Sequence, residues 1–238
     1  MCIRDRSKRL NPSKSTTIFV AGTDTDVGKT YTACLLAKSL VSSGVNVAVY
    51  KPVASGCLQS GQDLVAQDAV DLWESAGKPG SLDDVCPQKF LAPLAPTQAA
   101  IQEDRTVDAN LLYSGAAKLT SWNTLIVEGA GGLMSPLAEN VLNIDLCKQF
   151  ADPKLIIVAA NRLGAIHQTL ATCASAAHHG VKPAGIILCI TNSASSDSAA
   201  DPTQSNAQEI AKYTDVPILA EIAFGQESVA IDWFNRLK

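Results

Sequence analysis

At 238 residues, with 47% hydrophobic and 18% charged side chains, the chain suits one α/β domain with an ample buried core. A formal charge of −4 supplies no basic footprint for nucleic acid, and no apolar run approaches the ~20 residues of a membrane-spanning helix, so neither is an expected partner. Seven cysteines, scattered and without a Cys-x-x-Cys pair, and three histidines read as reduced thiols of a cytoplasmic protein, not as a structural zinc site.

Residues 1–15 carry Arg4, Arg6, Lys8, Arg9 and Lys14 but no apolar stretch, which argues against a secretory signal. They read as a disordered tail ahead of a single domain over 16–238. An organelle transit peptide or a misplaced start are the alternatives.

Ile18–Ala21 is an apolar run that fits a buried strand, and Gly28-Lys29-Thr30 opens a run of helix formers over Tyr31–Leu40. Strand, tight turn and helix start aim successive backbone N–H groups and a helix N-terminus at one point, which suits a phosphate. Lys29 adds a point charge for the β- and γ-phosphates, and the Thr30 hydroxyl is placed to ligate the accompanying Mg2+. The spacing between Gly22 and Gly28 is one residue longer than the usual phosphate-loop pattern, with Thr23 at the first-glycine position. An ordinary strand-to-helix turn with a surface lysine is the alternative.

Val45–Tyr50 reads as a second strand that runs into Lys51-Pro52-Val53-Ala54-Ser55-Gly56, where Pro52 and Gly56 bar a helix. If this strand neighbours the loop strand, Lys51 stands at the rim of a parallel sheet and reaches a transferring phosphoryl group. Asp63–Ser75 has the apolar spacing of an amphipathic helix, whose acids, Asp68 among them, read as a solvated face. Cys86–Pro96 is proline-rich and irregular, Val107–Ser121 reads as a helix, and Asn123–Val127 as the next buried strand. That strand ends in Glu128-Gly129-Ala130-Gly131-Gly132. A carboxylate there, followed by uncovered glycine N–H groups, suits Mg2+ on one side and an anion on the other; a glycine turn with a solvated glutamate is the alternative.

Leu155–Ala160 and Gly185–Ile190 read as further strands around a helix from Asn161–His167 to about His179. Ser193–Pro202 reads as a polar mobile loop, Thr203–Lys212 as a helix, and Val216–Ala220 as a final strand before a short helical tail. His167, His178 and His179 read as surface or helix-end residues. The alternation of strand and helix, with continuous Val/Ile/Leu strands, predicts a doubly wound, mostly parallel sheet covered by helices on both faces, of the P-loop NTPase type.

Four stretches go beyond a generic nucleotide site: GTDTDVGKT (Gly22–Thr30), YKPVASG (Tyr50–Gly56), Asp68, and VEGAGG (Val127–Gly132). Together they resemble the dethiobiotin synthetase family, from about Thr16 to Phe224. The resemblance implies ATP- and Mg2+-dependent closure of a cyclic urea on diaminopelargonic acid with CO2, through a carbamate and a carbamic-phosphoric anhydride. It implies Lys29 and Lys51 as the catalytic charges, and Thr30, Asp68 and Glu128 as the Mg2+ site. Nucleotide contacts then fall to Asp26, Val27, Gly28, Lys29, Thr30 and Tyr31, and to Glu128, Gly129, Ala130 and Gly131.

By the same resemblance Ser55 contacts the diamine or its carbamate. The helix start at Leu163 and Gly164 receives the distal carboxylate across a homodimer interface. Two positions depart from the family pattern: Cys189 stands where an asparagine commonly reads adenine, and His167 where asparagine is frequent. They leave nucleotide selectivity and the role of His167 open.

Two rival readings remain. Partitioning ATPases and their relatives usually carry a second lysine inside the loop, where this chain has Thr23-Asp24-Thr25-Asp26, and amidoligases need a glutaminase domain for which there is no room. A catalytically silent nucleotide-binding module has no need of both Lys29 and Lys51.

Overall fold

The computed structural model describes residues 16–119, 122–192, 203 and 205–236. The expected N-terminal tail and the polar loop Ser193–Pro202 lie outside them. In chain order the elements are β1 (Thr16–Gly22), α1 (Lys29–Ser42), β2 (Val47–Tyr50), β3 (Leu58–Ser60), β4 (Asp63–Val65) and α2 (Gln67–Ser75). Then come α3 (Leu82–Val85), α4 (Pro96–Gln102), α5 (Ala109–Ser114), β5 (Thr124–Gly132), β6 (Pro136–Ala138), β7 (Val141–Leu142) and α6 (Asn143–Cys147). The last are β8 (Lys154–Ala160), α7 (Ala165–His178), β9 (Gly185–Cys189), α8 (Asn206–Ala211) and β10 (Ile218–Ile222), followed by a 3-10 turn over Asp232–Arg236.

Six strands form one sheet in the order β10-β9-β8-β1-β5-β2, and every pairing in it is parallel. A parallel sheet must be covered on both faces, and the alternation within β1 shows how. Phe19 and Ala21 join an apolar cluster with Leu112 of α5, Ile144 of α6, Ala176 of α7 and Ile210 of α8. Ile18 and Val20 join the opposite cluster, with Leu36 and Leu40 of α1, Leu72 of α2, and Trp233 and Phe234 of the C-terminal turn. Ile18, Phe19 and Val20 are fully buried, which stabilises the fold by roughly 1.5–3 kcal/mol for each side chain. The doubly wound architecture expected from the sequence is the one observed. Among the described residues no helix is long and apolar enough to cross a membrane.

Several local expectations need correction. β2 does not neighbour β1; β5 lies between them and β2 is the sheet edge. The helix expected over Asp63–Ser75 begins only at Gln67, because Asp63–Val65 pairs antiparallel with Leu58–Ser60 around Gly61 at φ 63. The expected helix over Val107–Ser121 is α-helical only for Ala109–Ser114 and tightens to 3-10 over Gly115–Leu119. There the Tyr50 hydroxyl donates toward the carbonyls of Leu111 at 3.0 Å and Leu112 at 3.2 Å. A Cβ on Gly115 would sit 2.3 Å from the same hydroxyl, so the fold needs glycine where an α-helix would continue. The proline-rich Cys86–Pro96 stretch is irregular, as expected, yet Pro96 opens α4 at its first turn.

Candidate functional site

The loop between β1 and α1 is built as the phosphate-binding reading requires. Gly28 caps α1 at φ 88, a left-handed conformation that glycine adopts without a Cβ penalty. A Cβ there would also lie 2.6 Å from the Cys189 Sγ, so the loop is seated directly on the end of β9. The Thr23 N–H donates to the Val158 carbonyl at 2.9 Å, and the Gly22 carbonyl accepts from the Leu133 N–H at 2.9 Å. These bonds tie the loop to β8 on one side and to the end of β5 on the other.

Lys29 is buried at the first position of α1, and its Nζ donates to the Asp24 carbonyl of its own loop at 2.8 Å. Burial pulls its pKa below the ordinary lysine value; the Glu128 carboxylate opposes this, and nearby Lys51 adds to it. An anion in the loop would restore what burial removes.

Three charged side chains and one hydroxyl meet beside it. Glu128 Oε1 accepts from the Thr30 hydroxyl at 2.8 Å and from Lys51 Nζ at 2.5 Å, and Lys51 Nζ also donates to Asp68 Oδ2 at 3.1 Å. The Lys51 side chain is 4% exposed and that of Glu128 0%, whereas Asp68 is 53% exposed. Burial alone would lower the Lys51 pKa, but the two carboxylates overcome it and hold the ammonium well above its ordinary range. Asp68 shows the mirror effect: burial pushes its carboxyl up, Lys51 pulls it further down, and the result lies below the usual carboxylate value.

Glu128 Oε2 is buried and has no hydrogen-bond partner among the described residues. An unpaired buried carboxylate oxygen is costly, and beside the Thr30 hydroxyl and Asp68 it fits a divalent cation. No group of three or more His, Cys, Asp or Glu side chains that could hold a metal occurs among the described residues. A dedicated all-protein cage is therefore absent there, and one or two carboxylates plus phosphate oxygens and water is the usual arrangement for Mg2+.

The strip that carries Lys51 is held by the end of α3 and by the proline-rich segment. The Lys51 N–H donates to Val85 at 2.8 Å, and Ala54 bonds to Gln88 and Phe90 at 2.9 Å each. Pro93, Leu94, Ala95 and Pro96 form a wall of a cleft of about 1080 Å3, and Thr25, Ser135, Thr191 and Phe224 also line it. Thr25 falls within the Gly22–Thr30 motif; sequence reading passed over the other seven as site residues. The density of proline was the one available signal for the wall, since rigid irregular backbone often frames a site.

Of the candidate residues, Asp26, Gly28, Lys29, Thr30, Tyr31, Lys51, Ser55, Asp68, Glu128, Ala130 and Gly131 line this one cleft. Val27 and Gly129 do not. Val27 is fully buried in the cluster beneath α1, and a Cβ on Gly129 would lie 2.3 Å from Asn143 Oδ1. Leu163, 88% exposed, and Gly164, the left-handed N-cap of α7 at φ 93, also stand outside the cleft.

Glu128 does not end its strand, because β5 continues to Gly132. Nor are the N–H groups there all uncovered: Ala130 donates to Asn143 Oδ1 at 3.2 Å and Gly132 to the Ser135 hydroxyl at 2.9 Å. Asn143, fully buried, also donates to the carbonyls of Ala130 at 2.7 Å and Gly132 at 2.8 Å. This clamp, missed from the sequence, fixes the glycine-rich end of β5. Cys189 is 1% exposed and burial pushes its thiol up to about 11, with Thr32 opposing.

A parallel sheet with a glycine-capped loop entering a helix, and a lysine, a threonine hydroxyl and carboxylates converging on it, defines a P-loop nucleotide-binding protein. Residues 16–230 match the family model described as an AAA domain. Solved structures agree on the fold: chloroplast FtsY from Physcomitrella patens superposes with a TM-score of 0.54 at 16% identity, over 97% of this chain and 66% of that one. FtsY from Thermotoga maritima gives 0.52 at 16% identity, over 95% and 68%. Much nearer in sequence is the ATP-dependent dethiobiotin synthetase BioD of Rhodopirellula baltica, 39% identical over 215 residues, covering 86% of this chain and 82% of the relative. The enzyme of the same name from Bacillus thuringiensis is 37% identical over 207 residues, covering 87% and 82%. The chain belongs to the ATP-dependent dethiobiotin synthetase family.

Proposed function

We propose that the protein is an ATP-dependent ligase that closes a cyclic urea on diaminopelargonic acid with CO2 and gives dethiobiotin, ADP and phosphate. The observation that carries this is the convergence of Lys29, Thr30, Lys51, Asp68 and Glu128 in one cleft, combined with the family membership. A silent nucleotide module has no use for a second buried lysine paired to both carboxylates.

One amine of the substrate takes up CO2 as a carbamate. A carbamate oxygen attacks the γ-phosphorus of ATP and ADP leaves; the second amine then attacks the carbamoyl carbon, the ring closes and phosphate departs. Little covalent work falls to the chain, which must hold three partners in line and neutralise the moving charge. Lys29 and Lys51 carry the positive charge along that path. Asp26, Gly28, Lys29, Thr30 and Tyr31 contact the nucleotide, with Ala130 and Gly131 on the far wall, while Val27 and Gly129 shape the loops from behind. Ser55, half-buried in the cleft, contacts the diamine or its carbamate.

Thr30, Asp68 and Glu128 would hold Mg2+, which supplies charge neutralisation on the phosphates when bound. The exposed helix start at Leu163 and Gly164 suits the distal carboxylate of a substrate bound in a second subunit, which accounts for its standing outside the cleft of its own chain. The active assembly is then a homodimer in the cytoplasm.

The test is release of ADP and phosphate by the purified protein with Mg·ATP and bicarbonate, with and without diaminopelargonic acid. Diamine-dependent release with dethiobiotin identified by mass is expected. Release that ignores the diamine would sink the reading.

A further inference from the structure

Lys51 holds an unusual place for a side chain that belongs to the transfer path. Its ammonium lies between the two carboxylates of the proposed metal site, 2.5 Å from Glu128 Oε1 and 3.1 Å from Asp68 Oδ2. Glu128 Oε1 already accepts from the Thr30 hydroxyl, so with the ammonium in place a metal ion is left only the unpaired Oε2 of that carboxylate.

Charge makes the same point. Lys29 and Lys51 against Asp26, Asp68 and Glu128 leave the lining of the cleft with one negative charge in excess. A bare divalent cation would add two positive charges beside a buried ammonium, whose repulsion water screens poorly. A divalent cation arriving with a nucleoside polyphosphate brings its own negative charge and avoids that penalty.

We propose that Lys51 acts as an internal cation: it bridges the two carboxylates in the resting protein and yields Glu128 Oε1 only when nucleotide and metal enter together. The released ammonium then faces the cleft, where the phosphoryl group is transferred. Lys51 thereby couples metal affinity to nucleotide, a positioning role added to its charge. This rests on the reading of Thr30, Asp68 and Glu128 as the metal site.

The experiment is Mn2+ binding, followed by calorimetry and by electron paramagnetic resonance, to the wild type and to Lys51→Met, with and without ADP. Without ADP, the wild type should bind Mn2+ at least about 10-fold more weakly than the variant, because the competing charge is gone. With ADP the gap should narrow to within about 3-fold. Equal Mn2+ affinity of the two proteins without ADP, with binding in both when ADP is present, overturns the role of Lys51 and leaves the metal site standing. No Mn2+ binding in either protein even with ADP overturns the metal site and the proposal with it.

The wild type also offers a readout that does not depend on the variant folding. A 15N-lysine sample should show a buried Lys51 ammonium signal, assigned by its loss in Lys51→Arg, that moves on addition of Mg2+ with ADP and stays put with Mg2+ alone. A signal unmoved by both together overturns the proposal.

Discussion

Asn143 is the residue whose removal should say most about how the site is held. It is fully buried, donates to Ala130 and Gly132 carbonyls and accepts from the Ala130 N–H, with a longer 3.3 Å approach to the Ser135 carbonyl. Asn143→Ala leaves the Ala130 N–H and carbonyl without partners, while the Gly132 carbonyl keeps the Ser135 N–H at 3.0 Å. At about 1–3 kcal/mol for each of these two groups, and toward the lower end because Ala130 is half-buried and water can enter, the loss should be about 2 kcal/mol. That is a large part of the stability of an ordinary domain.

Urea unfolding of the wild type and the variant measures it, and a double-mutant cycle with Gly129→Ala isolates the contact. A Cβ on Gly129 meets Asn143 Oδ1 at 2.3 Å and Cγ at 3.0 Å, so Gly129→Ala alone should cost about 1–3 kcal/mol through overpacking. In the Asn143→Ala background the clashing atoms are gone and the cost should fall below about 1 kcal/mol, a coupling of the size expected for residues in contact. Because Ala130 and Gly131 line the cleft, the KM for nucleotide should rise in Asn143→Ala as well. A loss under about 1 kcal/mol with additive effects of the two substitutions would refute the clamp.

Lys29→Ala and Lys51→Ala should each lower kcat by about 100-fold or more while circular dichroism reports a folded protein, the scale seen when one preorganised charge-stabilising group is removed; full activity in either variant removes that lysine from the mechanism. Gly28→Ala should abolish measurable nucleotide binding in a fluorescence titration, since φ 88 and the Cys189 Sγ at 2.6 Å both oppose a Cβ. Adding Cys189→Ala should recover only part of it, as the backbone strain of about 1–2 kcal/mol persists. For pH, Asp68 titrates below its ordinary 3.8 in the fold, so its stabilising contribution is present above that value and lost as pH falls through the folded pKa. Lys51 is raised above its ordinary 10.5, so its contribution is present below that value and lost as pH rises through the folded pKa. Melting temperature against pH should therefore fall at both ends, and Asp68→Asn should flatten the acid limb; an unchanged acid limb would remove the ion pair as its cause.

What was legible in the sequence follows from how local each feature is. The phosphate loop reads directly because its strand, left-handed glycine and helix start lie within one short stretch. Lys51 was legible as a site residue only through what surrounds it, Pro52 and Gly56, and its placement beside the loop strand was wrong because the long insertion of β5 between β1 and β2 leaves no local trace. By its helix pattern Asp68 looks like any acid on a solvated face, and only the family resemblance singled it out. Only the register of α2 against β2 brings its carboxylate 3.1 Å from Lys51.

The helix over Val107–Ser121 was overextended for a similar reason. Periodicity records which side chains face the core, but the contact of Gly115 with the Tyr50 hydroxyl, 65 residues away in sequence, tightens the helix after one and a half turns. Likewise the polar side chain of Asn143 carries no pattern that distinguishes it from a loop residue.

By itself, then, the sequence determined the strand-helix alternation, the phosphate loop and the parallel sheet, because backbone preferences and apolar periodicity act over a few residues. The tertiary structure alone decided the strand order, the meeting of Lys51 with Asp68 and Glu128, and the clamp on the glycine-rich strand, because those depend on distances between segments that are remote along the chain.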